Sequence, residues 1–153
     1  MELTKEVQIG ENRYLISRFS AREGSWVVGQ FLGANLLSRL GGEEKEITEK
    51  DLALALSLTS RLLPEDVYAS VQSKCFAACK RYVKQGDTEV AMPLFQADGR
   101  DIYGFSLLEV TALTAAILAF NLHCFFEKGA AQTLLTVFPD LSSQSAPGST
   151  PTS

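Results

Sequence analysis

Residues 106–129, SLLEVTALTAAILAFNLHCFFEKG, are the longest apolar run in the chain, and they carry both a start and a stop. Ser106 followed by Glu109 makes a capping box, in which each side chain satisfies a backbone N–H that the first helical turn leaves without a partner. Gly129 after Lys128 suits the far end, where a glycine readily takes the left-handed conformation that closes a helix. Between these ends apolar residues occupy nearly the whole helical circumference. A helix apolar on all sides is either buried at the centre of a domain or spans a membrane. A span needs about 18–20 predominantly apolar residues, and here Glu109, Asn121 and His123 interrupt the run. The expectation is a central core helix over 107–128. The alternative is a small membrane-associated protein with 107–126 as the span.

At 153 residues the chain is sized for one domain with a real core. The net charge of −4 and the lack of a concentrated basic patch argue against a nucleic-acid partner. Three cysteines cannot all be paired within one chain, which favours a reduced, cytosolic setting. The opening residues, MELTKEVQIG, lack a basic stretch followed by an apolar one, so no signal peptide is expected. Residues 142–153, SSQSAPGSTPTS, are small, polar and proline-containing, too poor in apolar surface to order themselves. The expected division is a single mainly helical domain over 1–141 and a disordered tail over 142–153.

The chain opens as a β-hairpin, residues 6–9 and 13–16 around Gly10, with Val7, Ile9, Tyr14 and Ile16 directed inward. Two strands alone are only marginally stable, so this hairpin has to lean on helices or on a third strand. Ser20 and Glu23 form a second capping box, opening a helix from Ala21 to about Leu40 that Gly41 and Gly42 close. Within it Ser25, Gly29 and Gly33 recur every four residues, with Leu36 and Leu40 continuing the same stripe. Two interior glycines cost a helix about 1 kcal/mol each relative to alanine, so the stripe calls for a reason. Close packing on another helix of the same domain is one; a contact surface for a partner is the other. Residues 41–46 read as a charged loop. Thr48 with Asp51 caps the next helix. Its LALALSL run alternates like a strand, but leucine and alanine favour helix, and Leu54, Leu58 and Leu62 are also four apart.

Pro64, Glu65 and Asp66 suit a helix start. The apolar spacing of Val67, Val71, Cys75, Ala78 and Tyr82 predicts a helix that runs on to Gly86. Pro93 restricts residues 88–95 to an edge strand or loop. Asp98-Gly99 reads as a turn, Ile102-Tyr103 as a short return strand, and residues 130–138 as a last short helix ended by Pro139. The fold class expected is therefore α+β and mostly helical, with an N-terminal hairpin and four to five helices around the central one.

No phosphate-binding glycine loop or nucleophile elbow is present. Cys75 and Cys79, four apart, could join His123 and Cys124 in a metal site, but Cys75 falls on an apolar helical face, where cysteine serves as a small hydrophobe. No catalytic residue, cofactor or metal is expected, and the protein is read as non-enzymatic. His123 is expected to be hydrogen-bonded or exposed near the helix end. Phe125 and Phe126 read as core or, alternatively, as an exposed aromatic patch for a partner.

Met92-Pro93-Leu94-Phe95, Gly99-Arg100-Asp101-Ile102, Leu107-Leu108, Phe120-Asn121-Leu122 and Phe125-Phe126 together resemble the tail assembly chaperones of long-tailed bacteriophages. The hairpin and the helix after it, residues 6–40, are similar to that family's opening. His123-Cys124 departs from the small polar pair that precedes the phenylalanines there. The resemblance implies a chaperone in the bacterial host cytoplasm that binds the tape measure protein and keeps it soluble while the tail tube forms. It also implies weak or client-dependent self-association. Ser25, Gly29, Gly33, Phe125 and Phe126 are the partner-binding candidates.

Overall fold

The computed structural model describes residues 3–34, 36, 47–94, 104–126 and 136. Strand β1, Thr4–Ile9, turns at Gly10 into β2, Asn12–Ser17. Gly10 takes φ +62°, a left-handed value that a side chain disfavours and glycine accepts. The register sets Val7 opposite Tyr14 and Lys5 opposite Ile16. Tyr14 and Ile16 are fully buried, and Val7 and Ile9 pack on the core from the edge, so the expected inward residues face the core.

Helix α1, Ala21–Gly33, begins where Ser20 Oγ accepts from the N–H of Glu23 at 3.2 Å. Helix α2, Glu49–Thr59, begins the same way, with Asp51 N–H donating to Thr48 Oγ1 at 3.1 Å, and runs into a 3-10 turn at Ser60–Leu62. Leucine and alanine thus prevail over the alternating pattern. Helix α3, Glu65–Ala77, starts after Pro64.

Here the structure departs from the helix expected to reach Gly86. α3 ends at Ala77, and the chain forms a second hairpin, β3 (Cys79–Gln85) and β4 (Thr88–Pro93). Gly86, read from sequence as a helix stop, is the first residue of the hairpin turn, at φ +67°. β3 pairs antiparallel with β2, Cys79 against Ile16 and Arg81 against Tyr14. The N-terminal hairpin is therefore half of one antiparallel sheet in the order β1-β2-β3-β4. Sheet pairing decides against helix at Tyr82 and Val83, which are aromatic and β-branched and fit a pleated surface. β4 is an outer strand with Pro93 at its end, the edge position that a residue without an N–H tolerates.

One sheet face, through Tyr14, Ile16 and Cys79, lies against the helices. The other carries one residue from each strand in a single cluster. The Arg13 guanidinium sits 4.3 Å from the centroid of the Tyr82 ring and pairs with Glu89, and Tyr82 Oη donates to Glu6 at 3.1 Å. Exposed pairs like these add little individually.

Helix α4, Leu107–Leu122, starts at Ser106, whose Oγ accepts from the N–H of Glu109 at 3.1 Å. It touches α1, α2, α3, β1 and β2, the central position expected of it. Leu113, Ile117, Leu118, Phe120 and Leu122 are all buried. By length and composition Leu107–Phe126 would suffice to cross a membrane, yet polar side chains bind it to the domain. Tyr14 Oη donates to Glu109 at 2.8 Å, and Asn121 bonds the backbone at Ser17 and Phe19. The α-helix is shorter than the expected 107–128. It tightens into a 3-10 turn over His123–Phe126, a common way to end a helix.

Four α-helices lie among the described residues, three of them around α4, fewer than the four to five expected around it, because residues 79–93 form strands in place of a longer helix. The expected loop at 41–46, turn at Asp98-Gly99, return strand at 102–103 and tail at 142–153 fall outside the described residues. So does the short helix at 130–138, except for Thr136, which is helical.

Candidate interaction surface

Ser25, Gly29 and Gly33 share one face of α1, and that face is exposed. A Cβ added at Gly29 or Gly33 would meet nothing within 4 Å. No described residue packs closely on Gly29 or Gly33, whereas Leu36, which continues the stripe, is fully buried. Trp26 is partly exposed beside the stripe, with Lys74 Nζ 5.1 Å from its ring centroid. Beyond it Glu23 and the small residues Ala69, Ser73 and Ala77 line an open cleft of about 350 Å³ between α1 and α3.

Phe125 and Phe126 sit edge to face, centroids 5.0 Å apart at 75°. Phe126 is buried in the core and Phe125 is half-buried against it. Among the described residues the pair packs at the end of α4, Phe126 within the core and Phe125 with part of its ring open.

The exposed apolar surface lies elsewhere. Leu54 is 64% exposed, Leu107 84% and Leu108 72%, and Leu58 and Leu62 are also open. Leu54, Leu58 and Leu62 follow at four-residue intervals along the outer side of α2 and its 3-10 continuation. Sequence reasoning used that spacing as a sign of helix. The missed signal was that Leu52 and Leu56 form a different stripe, which is fully buried. One helix cannot turn both stripes inward. Where α2 meets the start of α4, a small groove of about 70 Å³ is lined in part by Ser57, Ser60, Thr111 and Ala115.

The cysteines and the histidine do not converge. Burial pushes the Cys75 and Cys79 thiols up to about 12, so both are protonated at neutral pH and are poor ligands or nucleophiles. His123 Nε2 donates to the Ile47 carbonyl at 2.8 Å, the hydrogen-bonded role expected of it, and Cys124 Sγ donates to Asn121 O. Among the described residues no three His, Cys, Asp or Glu side chains are grouped to hold a metal.

A family model for the phage tail assembly chaperone protein, TAC, matches residues 10–135. The chain belongs to the phage tail assembly chaperone family. No curated protein and no solved structure matches it. Within this family member the residues that carried the resemblance divide by role. Leu94, Phe120, Leu122 and Phe126 are buried and build the core. Asn121 fastens α4 to the chain between β2 and α1. Among the described ones, Leu107 and Leu108 alone are large, apolar and open to solvent. Phe95, Gly99, Arg100, Asp101 and Ile102 lie outside the described residues.

Proposed function

We propose that this tail assembly chaperone binds the tape measure protein through apolar surface and keeps it soluble in the host cytoplasm while the tail tube assembles. The observation that carries the reading is the open leucine surface of α2 and α4 on a member of this family. Contiguous exposed apolar surface on a small domain marks an interaction site, and a long, amphipathic, aggregation-prone client is what such a surface suits. A chain of this size covers only a short length of it. Several copies on one client hold it more firmly than any single contact allows, because each later contact is made at high effective concentration. Weak self-association of neighbouring copies fits this arrangement, and the exposed Ser25, Gly29 and Gly33 face is its candidate, since small residues let two helices approach closely. Phe126 is buried in the core and Phe125 half-buried against it, so they offer that role less open surface than the leucines do.

The test is co-expression with the tape measure protein from the same phage, followed by fractionation. The client is expected to move to the soluble fraction in complex with this chain. An equally insoluble client with and without it, and no co-purifying complex, would defeat the assignment.

A further inference from the structure

The leucines do not form an isolated patch; Leu54, Leu107 and Leu108 stand at the margins of the groove between α2 and the first turns of α4. Leu54 lies one turn before Ser57 and stands beside the groove, while Leu58, seven residues after Asp51, is turned away from it. Leu107 and Leu108 lie one turn before Thr111, and Leu108 faces the same way as Ala115. Ser57, Thr111 and Ala115 line the groove. Leu56, Thr114 and Leu118 lie buried at its floor beside Tyr68, so the groove is apolar and hydroxyl-lined within, and exposed leucines stand beside it on both helices.

Charge adds a direction. Lys50 is one turn before Leu54, and Arg61 follows Ser57 by one turn, so both basic side chains stand on the outer face of α2 that carries the leucines. Both are exposed. Asp51, next to Lys50, is turned about 100° further round the helix, toward the flank away from α4. On α4 the nearest acid, Glu109, is engaged by Tyr14 on the side facing the sheet. The groove thus presents apolar rims with a basic flank.

We infer that this groove receives an amphipathic helical segment of the client, with apolar residues at helical spacing on one side and Asp or Glu along the flank that meets Lys50 and Arg61. The inference rests on the client-holding reading above and narrows it to one surface and one kind of segment. An extended segment is disfavoured, because both walls are helices whose backbone groups are already paired, leaving no ladder to join. A second copy of the chain is disfavoured as well. Docking the same face on itself would bring two Lys50 and two Arg61 side chains into one interface, and like charges there oppose association.

The experiment uses the full chain and synthetic peptides of about 25 residues, long enough to hold several helical turns, that tile the tape measure protein, with binding read by fluorescence anisotropy. Peptides with apolar residues at i, i+3, i+4 and i+7 and an acidic flank are expected to bind and to gain helical circular dichroism. Leu54→Ser with Leu108→Ser is expected to weaken them at least tenfold while the thermal melt stays unchanged, since both side chains are exposed. Lys50→Glu with Arg61→Glu is expected to weaken acidic-flanked peptides and strengthen the same peptides with lysine in the acidic places. Unchanged affinity in the leucine variant overturns the inference, as does a charge variant without reversed preference. So does dissociation of a dimer by the leucine substitutions in sedimentation, which would make the groove a self-interface. If the leucine variant still keeps the full-length client soluble, the groove assignment fails and the chaperone reading stands.

Discussion

Asn121 Oδ1 accepts the backbone N–H of Phe19 at 2.6 Å, tying the central helix to the connector between β2 and α1. The same amide donates to the carbonyls of Ser17 at 3.2 Å and Ile117 at 3.0 Å. Beside it Arg18 donates to the Phe120 carbonyl and lies over the Phe120 ring at 3.8 Å. One short side chain thus satisfies backbone groups of a strand end that no ladder reaches.

Asn121→Leu keeps the size and removes these bonds, leaving a part-buried donor at Phe19 and an acceptor at Ser17 unpaired. A buried group left unsatisfied costs about 1–3 kcal/mol, so a loss of roughly 2–4 kcal/mol is expected in urea unfolding. A variant within 0.5 kcal/mol of wild type, about the scatter of neutral surface changes, would show that water replaces the amide at no cost.

Cys75 and Cys79 predict an alkaline limit to stability. Their thiols rise from 9.0 to about 12 on folding, chiefly through burial. A raised folded value means that the unfolded chain releases its protons first. The stabilisation is therefore complete below pH 9 and is lost as pH climbs from 9 towards 12, at about 1.4 kcal/mol per pH unit for each thiol. Under reducing conditions Cys75→Ala should be less stable at pH 7 yet lose less between pH 9 and 11. Equal alkaline slopes in the two proteins would assign the loss to other groups.

Gly29 separates two roles of the α1 face. Nothing lies near an added Cβ, so Gly29→Ala should stabilise the helix by about 0.5–1 kcal/mol, read as a higher Tm. If copies meet on this face, Gly29→Leu should keep the fold and weaken self-association in sedimentation on the client. A lower Tm for the alanine variant would mean that the face is covered within the domain.

Phe126→Ala should act on stability before function. The side chain is 7% exposed within the core, and removal of a buried phenylalanine costs about 3–5 kcal/mol. Thermal unfolding measures the loss. A small shift, with client binding abolished, would restore Phe126 to the partner surface.

The parts legible in the sequence are those specified locally. Ser20 with Glu23 and Ser106 with Glu109 announce their helices within four residues, and Gly10 announces the first hairpin. The second hairpin was hidden because its deciding interaction is distant: Cys79 pairs with Ile16. Up to Ala78 the apolar spacing is helical, and only the register on β2 makes Tyr82 a strand residue. The candidate surface was half legible for a similar reason. The spacing of Leu54, Leu58 and Leu62 shows that they share a face, but only the position of α4 decides that the face is outward. The spacing of Ser25, Gly29 and Gly33 shows that they share a face, and their exposure came from the tertiary arrangement.

The seam between β2 and β3 has a consequence during synthesis. The first hairpin leaves the ribosome long before β3 exists, since α1, α2 and α3 come between them. At roughly 5–20 residues per second the edge of β2, with Tyr14 and Ile16 uncovered, waits on the order of seconds for its neighbour. An unpaired strand edge with exposed apolar side chains is a template for the wrong partner. Nascent chains crowded on one messenger would meet through that edge, so high expression carries its own risk of tangling before the sheet is complete.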